Sequence, residues 1–281
     1  MLNRLKLFIL SVVMAVAAWS GAVQAAEGHA RPWQLNLQDA YSPVMERVHD
    51  FNNLLMVIQL LIVLFVLGIL GYVIVRFNAK RNPVPSKTAH NTLLEVVLTA
   101  VPIVILVIIA IPSMKLLYFS DRTDDYEMTL KVTGHQWYWT YAYPDHGDFS
   151  FDSIPIRDED LEDGQLRLLT VDNRVVLPVD TNIQILITAD DVIHAWAIPA
   201  LGMKVDATPG RVNERWMRIN KEGMFYGMCS ELCGVNHGFM PIQVEAVSKE
   251  AFAEWVEQAK EQFAGTDRPA LAVVEADRAA R

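Results

Sequence analysis

Residues 228–240 read Met228-Cys-Ser-Glu-Leu-Cys-Gly-Val-Asn-His-Gly-Phe-Met240, and this phrase holds both cysteines of a 281-residue chain. Cys229, Cys233, His237 and Met240 fall at Cys-x3-Cys-x3-His-x2-Met spacing. Three chemistries fit two thiols so close in sequence. A disulfide is one, but four residues make a short, awkward loop for a structural bridge, and His237 and Met240 are left idle. Zinc is another; it needs a further imidazole, which His194 can supply, but a thioether is a poor zinc ligand. The third is copper, because two thiolates, two imidazoles and a thioether are the soft to borderline donors that suit one-electron transfer. A mononuclear blue-copper site needs one cysteine only. Two thiolates can each bridge two metals, so a dinuclear copper centre with His194, His237 and Met240 uses every donor, with the division of ligands between the ions left open.

The surroundings of this phrase are β-rich. Met128-Thr-Leu-Lys-Val-Thr, Leu166-Arg-Leu-Leu-Thr-Val, Asn182-Ile-Gln-Ile-Leu-Ile-Thr and Pro241-Ile-Gln-Val-Glu-Ala-Val alternate or nearly alternate, with Asp, Asn, Gly and Pro between them. Many short strands of this kind predict a β-sandwich or barrel. Phe252, Trp255, Val256, Ala259 and Phe263 recur at helical spacing behind Ser248, an N-cap residue, and predict one amphipathic helix packed on the sheet. Residues 119–281 hold 28 acidic and 15 basic residues, a net charge of −13, and Asp145 to Asp163 holds eight acids against Arg157 alone. A solvated surface accounts for most of them; an acidic face also steers a basic partner. No basic patch or phosphate-cradling glycine loop marks a nucleic-acid or nucleotide binder.

Before residue 118 the chain is apolar in three blocks. Arg4 and Lys6, the run Leu7–Trp19 and the small-residue site Val23-Gln24-Ala25 read as a cleaved export signal. Leu54–Val75 is apolar except for Gln59, long enough at about 1.5 Å per residue to cross a hydrocarbon core of about 30 Å. Val96–Met114 is a second run, with Pro102 and Pro112, which a membrane helix tolerates beside a packed partner. Arg76, Lys80, Arg81 and Lys87 between them put this loop in the cytoplasm by the positive-inside bias. The expected division is a signal peptide at 1–25, a periplasmic segment at 26–48, spans at 49–76 and 93–118 around a cytoplasmic loop at 77–92, a periplasmic domain at 119–265 and a flexible tail at 266–281. Neither run contains histidine and the chain lacks Cys-x-x-Cys-His, so it supplies no haem ligands in its spans and carries no fused haem c domain.

Five separated phrases carry a family resemblance: the 228–240 segment, Gly134-His-Gln-Trp-Tyr-Trp139, Val171-Asp-Asn-Arg-Val-Val-Leu-Pro178, Asp191-Val-Ile-His-Ala-Trp196 and Val205-Asp-Ala-Thr-Pro-Gly-Arg211. Together with Ala40-Tyr-Ser-Pro-Val-Met-Glu they resemble the subunit II family of cytochrome c oxidases over nearly the whole chain after the export signal. The resemblance implies a two-helix transmembrane hairpin followed by an all-β, cupredoxin-like Greek-key sandwich with a C-terminal helix, held in a bacterial inner membrane with the sandwich in the periplasm. It implies a dinuclear copper A centre bridged by Cys229 and Cys233, completed by His194, His237, Met240 and the backbone carbonyl of Glu231. The Glu231 side chain would reach a magnesium ion shared with the catalytic subunit, where a hard cation prefers oxygen. Trp137 would pass electrons from docked cytochrome c, and Asp148, Asp152 and Asp191 would help to hold that donor. Glu95, at the start of the second span, matches a glutamate at the mouth of a proton pathway; an acid there also complements the helix dipole. By the resemblance, the partners are cytochrome c, the haem-containing subunit I and subunit III, in an oxidoreductase that is also a proton translocase.

Leu98, Ala142 and Met228 stand where the family commonly has tryptophan, glutamate and glutamine. None is a copper ligand. The competing reading is a membrane-anchored copper-delivery or copper-sensing protein, which accounts for the soft ligands but not for Glu95, Glu231 and the Trp137 phrase occurring together. Quinol-using relatives typically lack the copper ligands, all of which are present here.

Overall fold

The computed structural model describes residues 26–121 and 125–263. The signal peptide expected at 1–25 and the tail expected at 266–281 lie outside the described residues. Two long helices stand between a first short strand and the rest of a β-sandwich, and a third helix follows the sandwich.

Helix α1 spans Pro43–Arg76 and α2 spans Thr92–Ser120. At 34 residues α1 is about 51 Å long, well beyond a hydrocarbon core of about 30 Å. It starts six residues before the span expected at 49. Ser42 caps it by accepting the Met45 N–H, and Pro43 occupies the first turn, where its missing N–H costs nothing. Its extra turns belong to the globular domain: Val44 and Met45 are buried, and the Ser42 hydroxyl donates to the Leu201 carbonyl. Further down, Leu60, Phe65 and Leu70 on α1 and Ile103, Leu106 and Ile111 on α2 are exposed in the isolated chain, a surface that only lipid or another apolar helix can cover. Both helices have the length and hydropathy of membrane spans. At the foot of α2, Asn91 accepts the Leu94 N–H while Glu95 accepts the Asn91 N–H, so the acid closes the helix start.

The sandwich has strands β1 (Ala26–Gly28), β2 (Met128–His135), β3 (Tyr138–Tyr143), β4 (Phe149–Ser153), β5 (Val175–Pro178), β6 (Ile183–Ala189), β7 (His194–Ile198), β8 (Met203–Ala207), β9 (Asn213–Met217), β10 (Gly223–Cys229) and β11 (Pro241–Val247). One sheet runs β4-β3-β2-β6-β9; the other runs β5-β11-β10-β7-β8, with β1 beside the start of β10. Alternation decides the buried face: Ile183, Ile185, Ile187 and Ala189 of β6 point inward, and the residues between them do not. Leu130, Val132, Trp139 and Tyr141 from one sheet meet Trp196, Ile198, Phe225 and Val244 from the other in one core. Helix α3 (Lys249–Gln262) is capped by Ser248 and lays Phe252, Val256 and Ala259 on the sandwich.

The strand expected at Leu166–Val171 does not form. Leu168 adopts φ +64°, and the Thr170 hydroxyl donates to the Leu166 carbonyl, so the chain turns there; Val171 makes only an isolated bridge to Pro155, and strand pairing resumes at Val175. A local side-chain bond outcompetes the ladder that hydrophobic alternation alone would favour.

The domain is tied to both long helices. Tyr41 N–H donates to Ala200 and Asn220 N–H donates to Tyr41. At the end of α2, Trp216 Nε1–H donates to the Phe119 carbonyl at 2.9 Å, and the Arg47 guanidinium lies 3.4 Å from the Phe119 ring centroid. Arg215 pairs with Asp121.

Candidate metal centre

The donor residues come from two neighbouring strands and one loop. β10 ends at Cys229 and β11 begins just after Met240; Met228 pairs with Pro241, and Cys229 N–H donates to the Met240 carbonyl, so residues 230–240 form a closed loop. β7 runs antiparallel along the other side of β10 and brings in His194. This close crossing requires glycine at 227, since a Cβ there would lie 1.9 Å from the Ala197 carbonyl oxygen.

Around the loop, Cys229 Sγ lies 3.8 Å from Cys233 Sγ and 3.9 Å from His194 Nδ1. Cys233 Sγ is 3.5 Å from both His237 Nδ1 and Met240 Sδ, and the Glu231 carbonyl is 3.3 Å from Cys229 Sγ. Both cysteines are free and buried. With metal–ligand bonds of about 2.0–2.3 Å, donors separated by such distances sit on adjacent corners of a tetrahedron around one ion. His194, Cys229 and Cys233 also form a potential metal-binding group on ligand-atom proximity alone. The sulfur-rich donor set with a thioether fits copper better than zinc.

The electrostatics favour a bound cation. Burial raises the Cys229 thiol, but hydrogen bonds from His194 and from backbone at Glu231 and Ala195 outweigh it and hold it below its usual value. Burial and the Cys229 charge push the Cys233 thiol well above its own. The pair thus keeps one proton until a metal replaces it.

Asp191, an expected docking acid, also supports the centre. Its Oδ1 lies 2.8 Å from His194 Nε2 and accepts the Val192 N–H, while Oδ2 accepts the Gln136 N–H at 2.6 Å. This fixes the imidazole so that Nδ1 faces Cys229. Burial works against the Asp191 charge, but these hydrogen bonds prevail and hold its carboxyl below the usual range.

Trp137 joins the same assembly. Its Nε1–H donates to the Cys233 carbonyl at 3.2 Å, and Gln136 Nε2 donates to that oxygen at 2.7 Å. Gly234 follows at φ +121°, and a Cβ there would lie 3.0 Å from both the Trp137 ring and Gln136 Nε2. A groove of about 420 Å³ opens beside Trp137, lined by Tyr138, Ile154, Asn236, Phe239 and Pro241, with Asp158 also on its wall.

The structure sorts the remaining candidates. Asp152 pairs with Thr140 near the Trp137 end of the β3–β4 hairpin. Asp148 lies beyond the Tyr143–Phe149 pair at its other end, about 17 Å away at strand rise, and so does not join Trp137. The Glu231 side chain is exposed. Glu95 is remote, at the foot of α2. Met228 points outward, opposite to Cys229 on the strand, and is 41% exposed. Trp139 is fully buried and also belongs to the centre: its Nε1–H donates to the Met240 carbonyl and its ring meets His194 edge-on at 5.9 Å. Gln136 and Trp139 both lie in the Gly134–Trp139 phrase, the signal that could have found them.

Fold and donors together define a β-sandwich carried on two apolar helices, with a thiol-rich candidate metal centre. Residues 128–247 match the family described as cytochrome C oxidase subunit II, periplasmic domain, and residues 30–116 match cytochrome C oxidase subunit II, transmembrane domain. The chain belongs to the cytochrome c oxidase subunit II family. It is 53% identical over 241 residues to a Rickettsia felis protein named "Probable cytochrome c oxidase subunit 2", covering 86% of this chain and 76% of that one. An Arabidopsis thaliana protein named "Cytochrome c oxidase subunit 2" is 48% identical over 233 residues, 81% of this chain and 90% of that one. The solved periplasmic domain of subunit II of cytochrome oxidase (CoxB) of Bradyrhizobium japonicum shares 53% identity, with a TM-score of 0.48 over 51% of this chain and 100% of that chain.

Proposed function

We propose that this chain accepts electrons one at a time from cytochrome c at a dinuclear copper A centre and delivers them to a haem-containing subunit I, in a complex that also includes subunit III. The observation that carries this reading is the hydrogen bond from Trp137 to the carbonyl of Cys233, which links a half-buried surface aromatic to the ligand loop. Cys229 and Cys233 would bridge the ions, with His194, His237, Met240 and the Glu231 carbonyl completing them. When bound, a thiolate-bridged copper pair supplies reversible one-electron storage with little rearrangement of its ligands. Asp191 and Gln136 hold that ligand frame rigid on the side of His194 and Cys233.

Charge and shape support the donor assignment. The groove beside Trp137 offers an apolar surface, and Asp152 adds negative charge near it, as suits a partner whose redox centre is ringed by lysines, while Asp158 on its wall is offset by Arg157 beside it and by its ion pair with Arg167. Asp148 would contribute only to the longer-range field. The exposed Glu231 carboxylate is free to reach a magnesium ion at the boundary with subunit I. Glu95 would open a proton pathway into that subunit. The export signal and the basic loop support a bacterial inner-membrane location with the sandwich in the periplasm.

The test is copper content and electron paramagnetic resonance of the full chain in detergent after copper loading. Two coppers per chain with one unpaired electron shared over both is the expected result. One zinc, or a Cys229–Cys233 disulfide without metal, would overturn it.

A further inference from the structure

Beside the Trp137 turn stands a histidine that has no part in holding metal. His135 ends β2 and Tyr138 opens β3; their rings stack with centroids 4.5 Å apart and 9° between planes. The His135 side chain is 16% exposed. Its Nε2 lies 2.9 Å from Thr140 Oγ1, and the Thr140 hydroxyl donates to Asp152 Oδ1 at 2.6 Å. A hydroxyl has one hydrogen, so His135 Nε2 must carry a proton and donate to Oγ1. Its Nδ1 faces Asp190 Oδ2 at 3.6 Å.

In the neutral ring, Nδ1 therefore turns a lone pair toward a carboxylate. A proton added there converts that repulsion into an ion pair with Asp190, while the other edge stays bonded through Thr140 to Asp152. The charges that act on the ring are Asp190 and Asp191 after β6, Asp152 on β4 and His194 on β7. Burial, the largest influence, resists a charged ring, as does His194; the three carboxylates favour it, and the balance leaves the imidazole below its usual value. The ring is therefore neutral at neutral pH and gains its proton only on acidification.

We propose that His135 is a positioning residue of the docking face, whose proton uptake between Asp190 and the Thr140–Asp152 pair weakens the negative field beside Trp137 and loosens the hold on a basic electron donor. The inference rests on the proposed docking of cytochrome c at this face. Linkage fixes the sign: a docked cation disfavours a second positive charge at His135, so docking expels the proton and weakens as pH falls through the titration of this ring.

The experiment measures association of the copper-loaded full chain in detergent with a lysine-rich cytochrome c at low salt, between about pH 7.5 and pH 5.5, above the carboxylate range. The wild-type association constant should fall about two- to fivefold across this window, as expected for changing one charge at a rim. His135→Gln should flatten the profile, and Asp190→Asn, an exposed substitution, should shrink it, with copper absorption spectra unchanged. A wild-type profile retained in His135→Gln would overturn the inference and leave docking intact. If that variant fails to load copper, Asp190→Asn decides, and its keeping the full pH step would overturn the inference. Absence of wild-type binding at every pH would overturn the docking reading together with the inference.

Discussion

The indole of Trp137 and the main chain of Cys233 are joined directly, with Nε1–H donating to a carbonyl that also accepts Gln136 Nε2–H. A half-buried aromatic and a candidate metal ligand nearly a hundred positions apart thus meet at one oxygen atom. Trp137→Phe removes one donor and keeps most of the ring. It should cost about 1 kcal/mol of stability and slow electron uptake from cytochrome c, while leaving copper content unchanged. Laser-triggered reduction kinetics, read beside metal analysis, checks both.

Asp191→Asn keeps the size of the side chain and removes the charge that orients His194. Copper affinity should fall about 10- to 100-fold, the usual effect of removing a partner behind a ligating histidine. Competition against a chelator of known affinity measures it, and unchanged affinity would return Asp191 to the docking face alone.

Gly234→Ala places a Cβ at φ +121°, against Trp137 and Gln136. Destabilisation of about 1–3 kcal/mol is expected from the backbone conformation, with a shift in tryptophan fluorescence as Trp137 is displaced. Thermal unfolding and emission spectra report the two effects.

Copper loading should tighten as pH rises. The Cys233 thiol, held above its ordinary value by burial and by the Cys229 charge, keeps its proton through neutral pH, and a thiolate ligand must give it up. The apparent affinity should climb with a slope of about one decade per pH unit for each proton released. A flat profile between about pH 6 and pH 8 would mean that both thiolates exist before metal arrives.

Much of this was legible beforehand because the signals are local. Apolar runs mark both long helices, Ser248 marks the start of α3, and the metal donors are concentrated in one loop plus His194. What escaped depends on tertiary geometry. The start of α1 at Pro43 was hidden because its first turns are polar by composition and are buried only through Val44 and Met45 against the domain. Asp148 and Asp152 look equivalent in a run of acids, and only the hairpin register separates them. Asp191 reaches His194 because β2, paired with β6 in the same sheet, ends where the Gln136 N–H meets its carboxylate. The turn at Leu166–Thr170 defeats an alternating pattern through a single hydroxyl.

Ser42, Tyr41 and Asn220 fasten the sandwich to the top of α1, and Trp216 with Arg215 fastens it to α2. The sandwich is thus held at two points among the described residues. Electron tunnelling weakens exponentially with the gap it crosses, so a mount that holds the gap constant removes its main source of variation. The upper turns of α1 therefore act as a spacer, fixing the donor loop relative to the apolar length of the helix.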